Sequence, residues 1–128
     1  MTVQPPKYSI DVRVETMYLD TESRPQQDHF VFAYTITIFN SGLVAAKLLT
    51  RHWFISNAEG KTYEVQGEGV VGEQPYLKPG EAYQYTSGTV LDTPVGTMQG
   101  SYQLIADDGQ VFEAVIAPFT LAVPNKLH

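Results

Sequence analysis

Residues 67–72 read GEGVVG and match the G-x-G-x-x-G spacing of a dinucleotide-binding turn. In that turn the glycines join a strand to a helix, and the pyrophosphate lies at the helix N-terminus, where free N–H groups favour negative charge. The next residues read EQPYLKPGEAYQY, and Pro75 and Pro79 prevent a helix of useful length. The motif therefore lacks the helix that it requires, and the sequence favours a bent strand or bulge close to another backbone.

An anion nest is the alternative use of this glycine-rich segment. Successive backbone N–H groups in such a loop can cradle a phosphate without a helix. Glu68 and Glu73 flank the loop and would repel a nucleotide or pyrophosphate. We therefore expect no cofactor and no binding of NAD or ATP at this segment.

Side chains for catalysis or metal binding are sparse. The chain has no cysteine, and His52, Ser87 and Asp92 can be drawn as a triad although triads depend on geometry rather than order. Asp107 and Asp108 belong to a DDG hairpin signal that lacks the further spaced oxygens of a calcium loop. We predict a non-enzymatic protein without a catalytic or metal site, and a hydrolase is the least favoured alternative.

Arg51, His52 and Trp53 form the most unusual cluster in the sequence. Alternation along a strand places Arg51 and Trp53 on one face and His52 on the other. A lone Trp in a small sandwich belongs to the core, and an Arg stem can pack beside it with its head in water. The alternative is that Arg51 contacts an anion or a partner near the glycine-rich segment.

Composition excludes several classes of function. The 128-residue chain carries a net charge of −6, a pI near 4.8 and eight basic residues, which argues against sequence-independent nucleic-acid binding. It has no apolar signal segment and no apolar run long enough to span a bilayer. The absence of cysteine suits a reducing compartment. We expect one cytoplasmic domain over residues 1–128, with its core at about 8–124 and no membrane partner.

Period-two alternation and turn residues predict an all-β domain. The predicted strands cover residues 12–18, 29–39, 48–57, 61–65, 81–86, 97–106, 111–116 and 119–123, with a loop over 87–96. Strands of this number and spacing are typical of an antiparallel β-sandwich. We expect a core that contains Phe32, Tyr34, Ile36, Trp53, Tyr102, Leu104, Phe112 and Phe119. Tyr76, Tyr83, Tyr85 and Tyr102 fit either the edge of a core or an interface.

Four blocks together resemble the ApaG family over about residues 12–124. They are FAYTITIFNSG (32–42), RHWFISNAEGKTYEVQGEGVVGEQPYLKPGE (51–81), YTSGTVLDTPVGTMQGSY (85–102) and DGQVFEAVIAPFTL (108–121). The resemblance implies an immunoglobulin/fibronectin type III-like sandwich without agreed catalytic residues. It also implies a link to cobalt resistance and magnesium efflux. Related domains in eukaryotic F-box proteins and in a polymerase-interacting protein point to protein binding.

These features together predict a protein-interaction module whose link to cobalt and magnesium is indirect. The partner is another protein or a second copy of the chain. The alternative is a binder of a nucleotide, pyrophosphate or divalent cation through the glycine-rich segment. The predicted interaction surface consists of Arg51, His52, Gly67, Glu68, Gly69, Gly72, Glu73, Gln74 and Tyr76.

Overall fold

The computed structural model describes residues 6–125, which fold mostly into strands. The eight strands are β1 (Ile10–Tyr18), β2 (Phe30–Asn40), β3 (Ala46–Asn57), β4 (Thr62–Glu68), β5 (Tyr76–Leu77), β6 (Ala82–Leu91), β7 (Val95–Ala106) and β8 (Val111–Ala122). Two short 3-10 turns, Asp20–Glu22 and Pro25–Gln27, lie between β1 and β2. No helix within residues 6–125 is long and apolar enough to cross a bilayer.

The strands form two antiparallel sheets. One sheet has the order β1-β2-β6, and the other has the order β4-β3-β7-β8 with β5 beside the first residues of β3. Every pairing between named strands is antiparallel. This arrangement confirms the predicted antiparallel sandwich of the immunoglobulin/fibronectin type III-like class.

Alternation along β2 generates one wall of the core. Phe30, Phe32, Tyr34, Ile36 and Ile38 are buried, whereas the residues between them face the outside of the sheet. In the opposite sheet the buried side chains include Leu48, Trp53, Tyr102, Leu104 and Ile116. Because successive strand residues point to opposite faces, a period of two is enough to fill the space between the sheets.

Trp53 occupies the centre of an aromatic cluster. Its side chain is 3% exposed, and its ring lies 5.6 Å from Tyr34 and 5.9 Å from Phe119, measured between centroids. Phe112 and Phe119 pack against the core as expected, but they are only partly buried. Both belong to β8, which is the last strand of its sheet and is therefore covered from fewer directions.

Most strand ends differ from the prediction by one to three residues, and the short strand β5 was not predicted. Two differences are larger. Residues 87–91 continue β6, because their pairing with β2 extends to Leu91 despite Gly88. The predicted strands 111–116 and 119–123 form one continuous β8, which absorbs Pro118 at a register shift opposite residues 98–100. A bulge on an edge strand tolerates proline because no ladder hydrogen bond is lost there.

Candidate functional site

The β3–β4 ladder brings the two halves of the predicted surface together. Arg51 lies directly opposite Gly67, His52 opposite Gln66, and Thr50 opposite Glu68. Arg51 and Trp53 share the inner face of the sheet, and His52 lies on the outer face, as the alternation predicts. The glycine-rich segment therefore begins as the end of β4, beside the Arg-His-Trp cluster.

Arg51 holds the end of β4 from within the sandwich. Its Nη1 donates to the backbone oxygen of Glu68 at 2.8 Å and to that of Gly69 at 3.0 Å. A Cβ at position 67 would lie 2.7 Å from Arg51 Nη2, so glycine leaves room for the guanidinium in its present position. These charge-assisted hydrogen bonds to backbone carbonyls compensate for placing the Arg51 guanidinium on the inner face of the sheet.

A tight hairpin turn follows β4. Val70 N–H donates to the Glu73 oxygen at 2.8 Å, and Glu73 N–H donates back to the Val70 oxygen at 2.9 Å. Val71 and Gly72, the two residues between them, have φ values of 43° and 82°. Positive φ at both central residues is characteristic of a type I′ turn. The predicted bulge lies instead in the facing strand β3, between Leu48 and Thr50.

This geometry leaves few N–H groups for an anion. Gly69 N–H donates to the Leu49 oxygen at 2.8 Å. Across the turn, the N–H groups of Val70 and Glu73 each donate to the other residue's backbone oxygen. A phosphate nest needs successive N–H groups that converge on one point. The geometry therefore gives the G-x-G-x-x-G spacing a role in turn formation.

Val71 is the strained residue of the turn. A β-branched residue at positive φ is a backbone outlier, and this side chain is 53% exposed at the tip. Val70, its neighbour, is fully buried and fastens the turn to the core. The turn therefore presents an apolar side chain to solvent from a conformation that asparagine or glycine would adopt with less strain.

Gln74 and Tyr76 connect the turn to the rest of the sheet. Gln74 Nε2 donates to the Leu49 oxygen at 3.0 Å, which is a second hydrogen bond to this carbonyl of the β3 bulge beside that from Gly69 N–H. The Tyr76 hydroxyl donates to Asp107 Oδ2 at 2.7 Å, and this bond raises the pKa of Tyr76. Tyr76 itself remains about half exposed, so its ring is available to a partner.

The outer face of β3 and β4 carries a polar cluster around His52. His52 Nε2 lies 2.6 Å from Glu64 Oε1, and Gln66 Nε2 donates to the same oxygen at 3.1 Å. The hydrogen bond with His52, and then that with Gln66, lowers the pKa of Glu64. The His52 ring also lies 4.6 Å from the Phe54 ring. Sequence reasoning missed Glu64 and Gln66, although both belong to the outward set of β4.

A shallow depression of about 450 Å³ adjoins this cluster on the outer face of the larger sheet. Glu68 and Glu113 line it together with Gln66 and Gln103. Within residues 6–125 the two ion pairs are His52–Glu64 and Lys7–Asp108, so Glu68 and Glu113 have no cationic partner. Arg51 and His52 line the depression as well, but Arg51 binds backbone oxygens and His52 binds Glu64, so the carboxylates without an ion pair give this surface its acidic character.

Other candidate groups from the sequence do not assemble into a site. His52 faces outward on the larger sheet, whereas Ser87 faces inward from β6 and the Asp92 carboxylate accepts a bond from Asn57. Asp107 accepts the Tyr76 bond, and Asp108 binds Tyr8 and Lys7. No group of three or more His, Cys, Asp or Glu side chains is arranged for a metal within the described part of the chain.

The four tyrosines that fit either a core edge or an interface divide between core and surface. Tyr85 and Tyr102 are buried, and their hydroxyls share a hydrogen bond across the two sheets. Burial raises the pKa of both hydroxyls far above its usual value. Tyr83 is half-buried beside Tyr85, so Tyr76 is the one member of this set that is largely exposed.

The fold and this surface define a small all-β sandwich with a strained glycine-rich hairpin. A family model for the ApaG domain matches residues 20–106. Proteins named ApaG from Pseudomonas entomophila and Methylococcus capsulatus are 57% and 60% identical to the chain. The first match covers 96% of this chain and 98% of the relative, and the second covers 94% and 96%. The chain belongs to the ApaG family.

Solved structures support the same assignment. An X-ray structure of a structural-genomics target is 57% identical, with a TM-score of 0.88 over 94% of this chain and 91% of the other. A crystal structure named for an ApaA protein from Bordetella pertussis is 45% identical, with a TM-score of 0.93 over 95% and 99% of the two chains. The chain therefore has the same fold as these solved relatives over nearly its whole length.

Proposed function

We propose that this ApaG-family chain is a non-enzymatic protein-interaction domain whose partner binds the hairpin surface. We define the hairpin surface as residues 67–76 together with Arg51 and His52. The observation that carries the proposal is Val71, an exposed apolar side chain held at positive φ. Strain of this kind is retained where the surrounding structure or a function requires the side chain.

The charge of the surface indicates the chemistry of the partner. Glu68 and Glu73 flank the turn, Glu113 lies across the depression, and the chain carries a net charge of −6. A basic protein surface would complement this charge and would accelerate association. Tyr76 adds a half-exposed aromatic ring of the type that anchors interfaces.

In this proposal the link to cobalt and magnesium is made by the partner protein. The described residues contain no clustered metal ligands, and the hairpin is built from backbone hydrogen bonds and apolar contacts. We therefore assign any effect on cobalt or magnesium to a protein that the domain contacts. We place the interaction in the cytoplasm, since a cysteine-free chain suits a reducing compartment.

Charge reversal on the surface tests the proposal. The double variant Glu68→Lys/Glu73→Lys changes two exposed side chains of the hairpin surface. The matched control Asp11→Lys/Glu15→Lys makes the same change in charge on the outer face of β1, in the other sheet. Immobilised wild-type protein and both variants are incubated with an extract of Pseudomonas putida cells, and the captured proteins are quantified by mass spectrometry.

The proposal predicts that at least one protein is captured by the wild type and by the control variant. The hairpin variant should capture at least about tenfold less of it, which corresponds to a loss of about 1.4 kcal/mol in binding free energy. Circular dichroism first establishes that both variants fold. Equal capture by all three proteins, or equal loss in both variants, contradicts the proposal. A second copy of the chain as the captured species would instead assign the surface to self-association.

A further inference from the structure

The sandwich has an unfilled strand position beside β6. The smaller sheet ends at β6, whereas the larger sheet continues past β3 to β4. Tyr63 and Val65 lie opposite Ile55 and Trp53 on β3, so their side chains point to the inner face. They are nevertheless 44% and 41% exposed, because no strand of the smaller sheet covers them.

The free edge of β6 borders this position. Asn40 N–H donates to the Glu81 oxygen at 3.0 Å, which fixes the phase of the β2–β6 ladder. In an antiparallel ladder hydrogen-bonded and non-bonded pairs alternate, so Gln84, Thr86 and Gly88 direct their N–H and C=O groups away from β2. These groups are placed to pair with one more strand.

The β6 edge also lacks the features that usually prevent strand addition. Its sequence, AYQYTSGTVL, contains no charge and no proline, and its pairing with β2 has no register shift. The other outer strands are protected by charge or proline, with Asp11 and Glu15 on β1, Glu64 on β4 and Pro118 on β8. Natural sheets use such residues to block edge pairing.

A side-chain pocket of about 300 Å³ lies at the C-terminal end of the same edge. Its walls include Ile55, Tyr63 and Val90, and Asp28, His29 and Asp92 line it as well. The Lys61 ammonium lies 5.3 Å from the Tyr63 ring centroid, so the two acidic lining residues, Asp28 and Asp92, outnumber this ammonium. Apolar walls with an acidic rim match the aliphatic stem and charged head of Lys or Arg.

We propose that an extended segment of a partner protein adds to β6 as a fourth strand of the smaller sheet. Its inward side chains cover Tyr63 and Val65, and a Lys or Arg in it reaches Asp28 and Asp92. Main-chain hydrogen bonds supply affinity in this mode of recognition, and the pocket supplies specificity. This site lies apart from the hairpin surface and holds whether or not that surface binds a partner.

A second copy of the chain does not fit this position. The ends of β3 and β6 are joined by the bond from Asn57 Nδ2 to Asp92 Oδ1 at 2.9 Å, so β3 already faces β6. In each molecule β4 extends beyond the edge of the smaller sheet. If β6 paired with β6 of a second copy, the β4 strand of each molecule would occupy the space of the other molecule's β3. This pairing would also bring Glu81 of one copy towards Asp92 of the other. A heterologous segment that carries positive charge avoids both conflicts.

Synthetic peptides of the length of β6 test the site. The probe is a fluorescein-labelled peptide of alternating Val and Thr with one Val replaced by Arg, and the control has Glu at that position. Fluorescence anisotropy measures binding, and amide NMR spectra of the labelled protein locate it. We expect saturable binding of the Arg peptide, weaker binding of the Glu peptide, and protection from exchange for the N–H groups of Gln84, Thr86 and Gly88.

Variants distinguish edge pairing from other binding. Thr86→Pro removes an outward N–H without removing a β2 bond, and Thr86→Val keeps that N–H. We expect Thr86→Pro to weaken the Arg peptide by about tenfold or more and Thr86→Val to bind as wild type. Asp28→Asn, which tolerates the left-handed backbone at this residue, should weaken the Arg peptide about threefold and leave the Glu peptide unchanged or stronger.

A further variant keeps the test decisive if the proline variant does not fold. Val65→Lys places an ammonium in the strand position from the opposite sheet and leaves β6 unchanged, so it should weaken the Arg peptide and leave the Glu peptide unchanged or stronger. The proposal is overturned by absence of saturable binding to the Arg peptide, by equal binding to Thr86→Pro and Thr86→Val, or by amide shifts confined to residues outside β4, β6 and the pocket. Pairing of β6 with a second copy, seen as a dimer in solution scattering that Thr86→Pro dissociates, would also overturn it.

Discussion

Arg51 connects the core to the candidate surface through a single side chain. Its stem lies on the same face as Trp53, and its head binds the carbonyls of Glu68 and Gly69. The sequence predicts the facing of Arg51 correctly because alternation is a local rule. The carbonyl partners could not be predicted, because they depend on how far β4 runs before it turns.

Trp53 supports the core from which the hairpin projects. Trp53→Ala removes a side chain that is packed against Tyr34, Tyr102 and Phe119. We expect a loss of about 3–5 kcal/mol in the free energy of unfolding, since a large cavity remains. Urea unfolding monitored by far-ultraviolet circular dichroism measures this loss. A transition midpoint close to that of the wild type would contradict the central position of Trp53.

Asp108 gives the stability a dependence on pH. The Tyr8 hydroxyl first, and then the Lys7 ammonium, lowers the pKa of Asp108 from 3.8 to about 2. Because the folded pKa is below the unfolded one, this contribution is present above the unfolded pKa and is lost as pH falls through about 2. Asp108→Asn should therefore reduce the fall in the free energy of unfolding as pH drops from 3.8 to about 2.

Urea titrations of the wild type and Asp108→Asn at several pH values test this expectation. Tyr8→Phe is the matched control, because it removes the hydrogen bond that lowers the pKa of Asp108 most and keeps the carboxylate. It should move the pH dependence of unfolding towards that of Asp108→Asn. Parallel pH profiles for the wild type and both variants would show that this contact does not contribute to stability.

At the scale of single elements, the hairpin after β4 shows what local patterns reveal. The prolines after residue 72 excluded a helix correctly, and the segment does run close to another backbone, since a Cβ on Gly69 would meet the Glu73 oxygen. The turn type was missed, because valine is an unusual first residue for a type I′ turn. The β3 bulge was missed too, since residues 46–57 carry no glycine or proline to mark it.

Strand ends were the other limit of prediction from sequence. Gly88 interrupts the alternation of β6, and Pro118 interrupts that of β8, so local signals end both strands too early. Pairing with β2 carries β6 through Gly88, and the shift opposite residues 98–100 carries β8 through Pro118. Because such pairing is set by the neighbouring strand, tertiary context overrides the local preference.

Val71→Asn separates stability from binding at the hairpin. Asn-Gly is the preferred pair for a turn with two positive φ values, and asparagine relieves the strain of the β-branched residue. We expect the variant to be more stable by about 1 kcal/mol and to bind a partner of the hairpin surface more weakly, since the apolar contact is lost. Thermal unfolding and the capture assay measure the two effects. A variant that is both less stable and equally bound contradicts the account of Val71.

The glycine-rich segment should not bind nucleotides. Amide NMR spectra are recorded during titration with NAD, ATP and pyrophosphate at millimolar concentration. We expect no specific shifts at Gly67, Gly69 or Gly72, because the N–H groups of Gly69, Val70 and Glu73 are already bonded to backbone oxygens. A saturable shift at these glycines would restore the small-ligand alternative.

The two binding places that we propose lie on different parts of the molecule. The hairpin surface lies on the β3–β4 side of the larger sheet, and the unfilled strand position lies between β4 and β6. Family membership fixes the fold across the chain, since relatives 57% identical cover 96% of it. The partner depends on exposed side chains and unpaired edges, and these carry no period that a sequence pattern reveals.

Photo-crosslinking from the hairpin tip tests the proposed function most directly. A benzophenone amino acid is placed at position 71, or at position 15 on the other sheet as control, and living bacterial cells are irradiated. The account predicts an adduct with another protein from position 71 that is absent from position 15 and is lost in the Glu68→Lys/Glu73→Lys background. An adduct that survives this double charge reversal, or identical products from both positions, would contradict it.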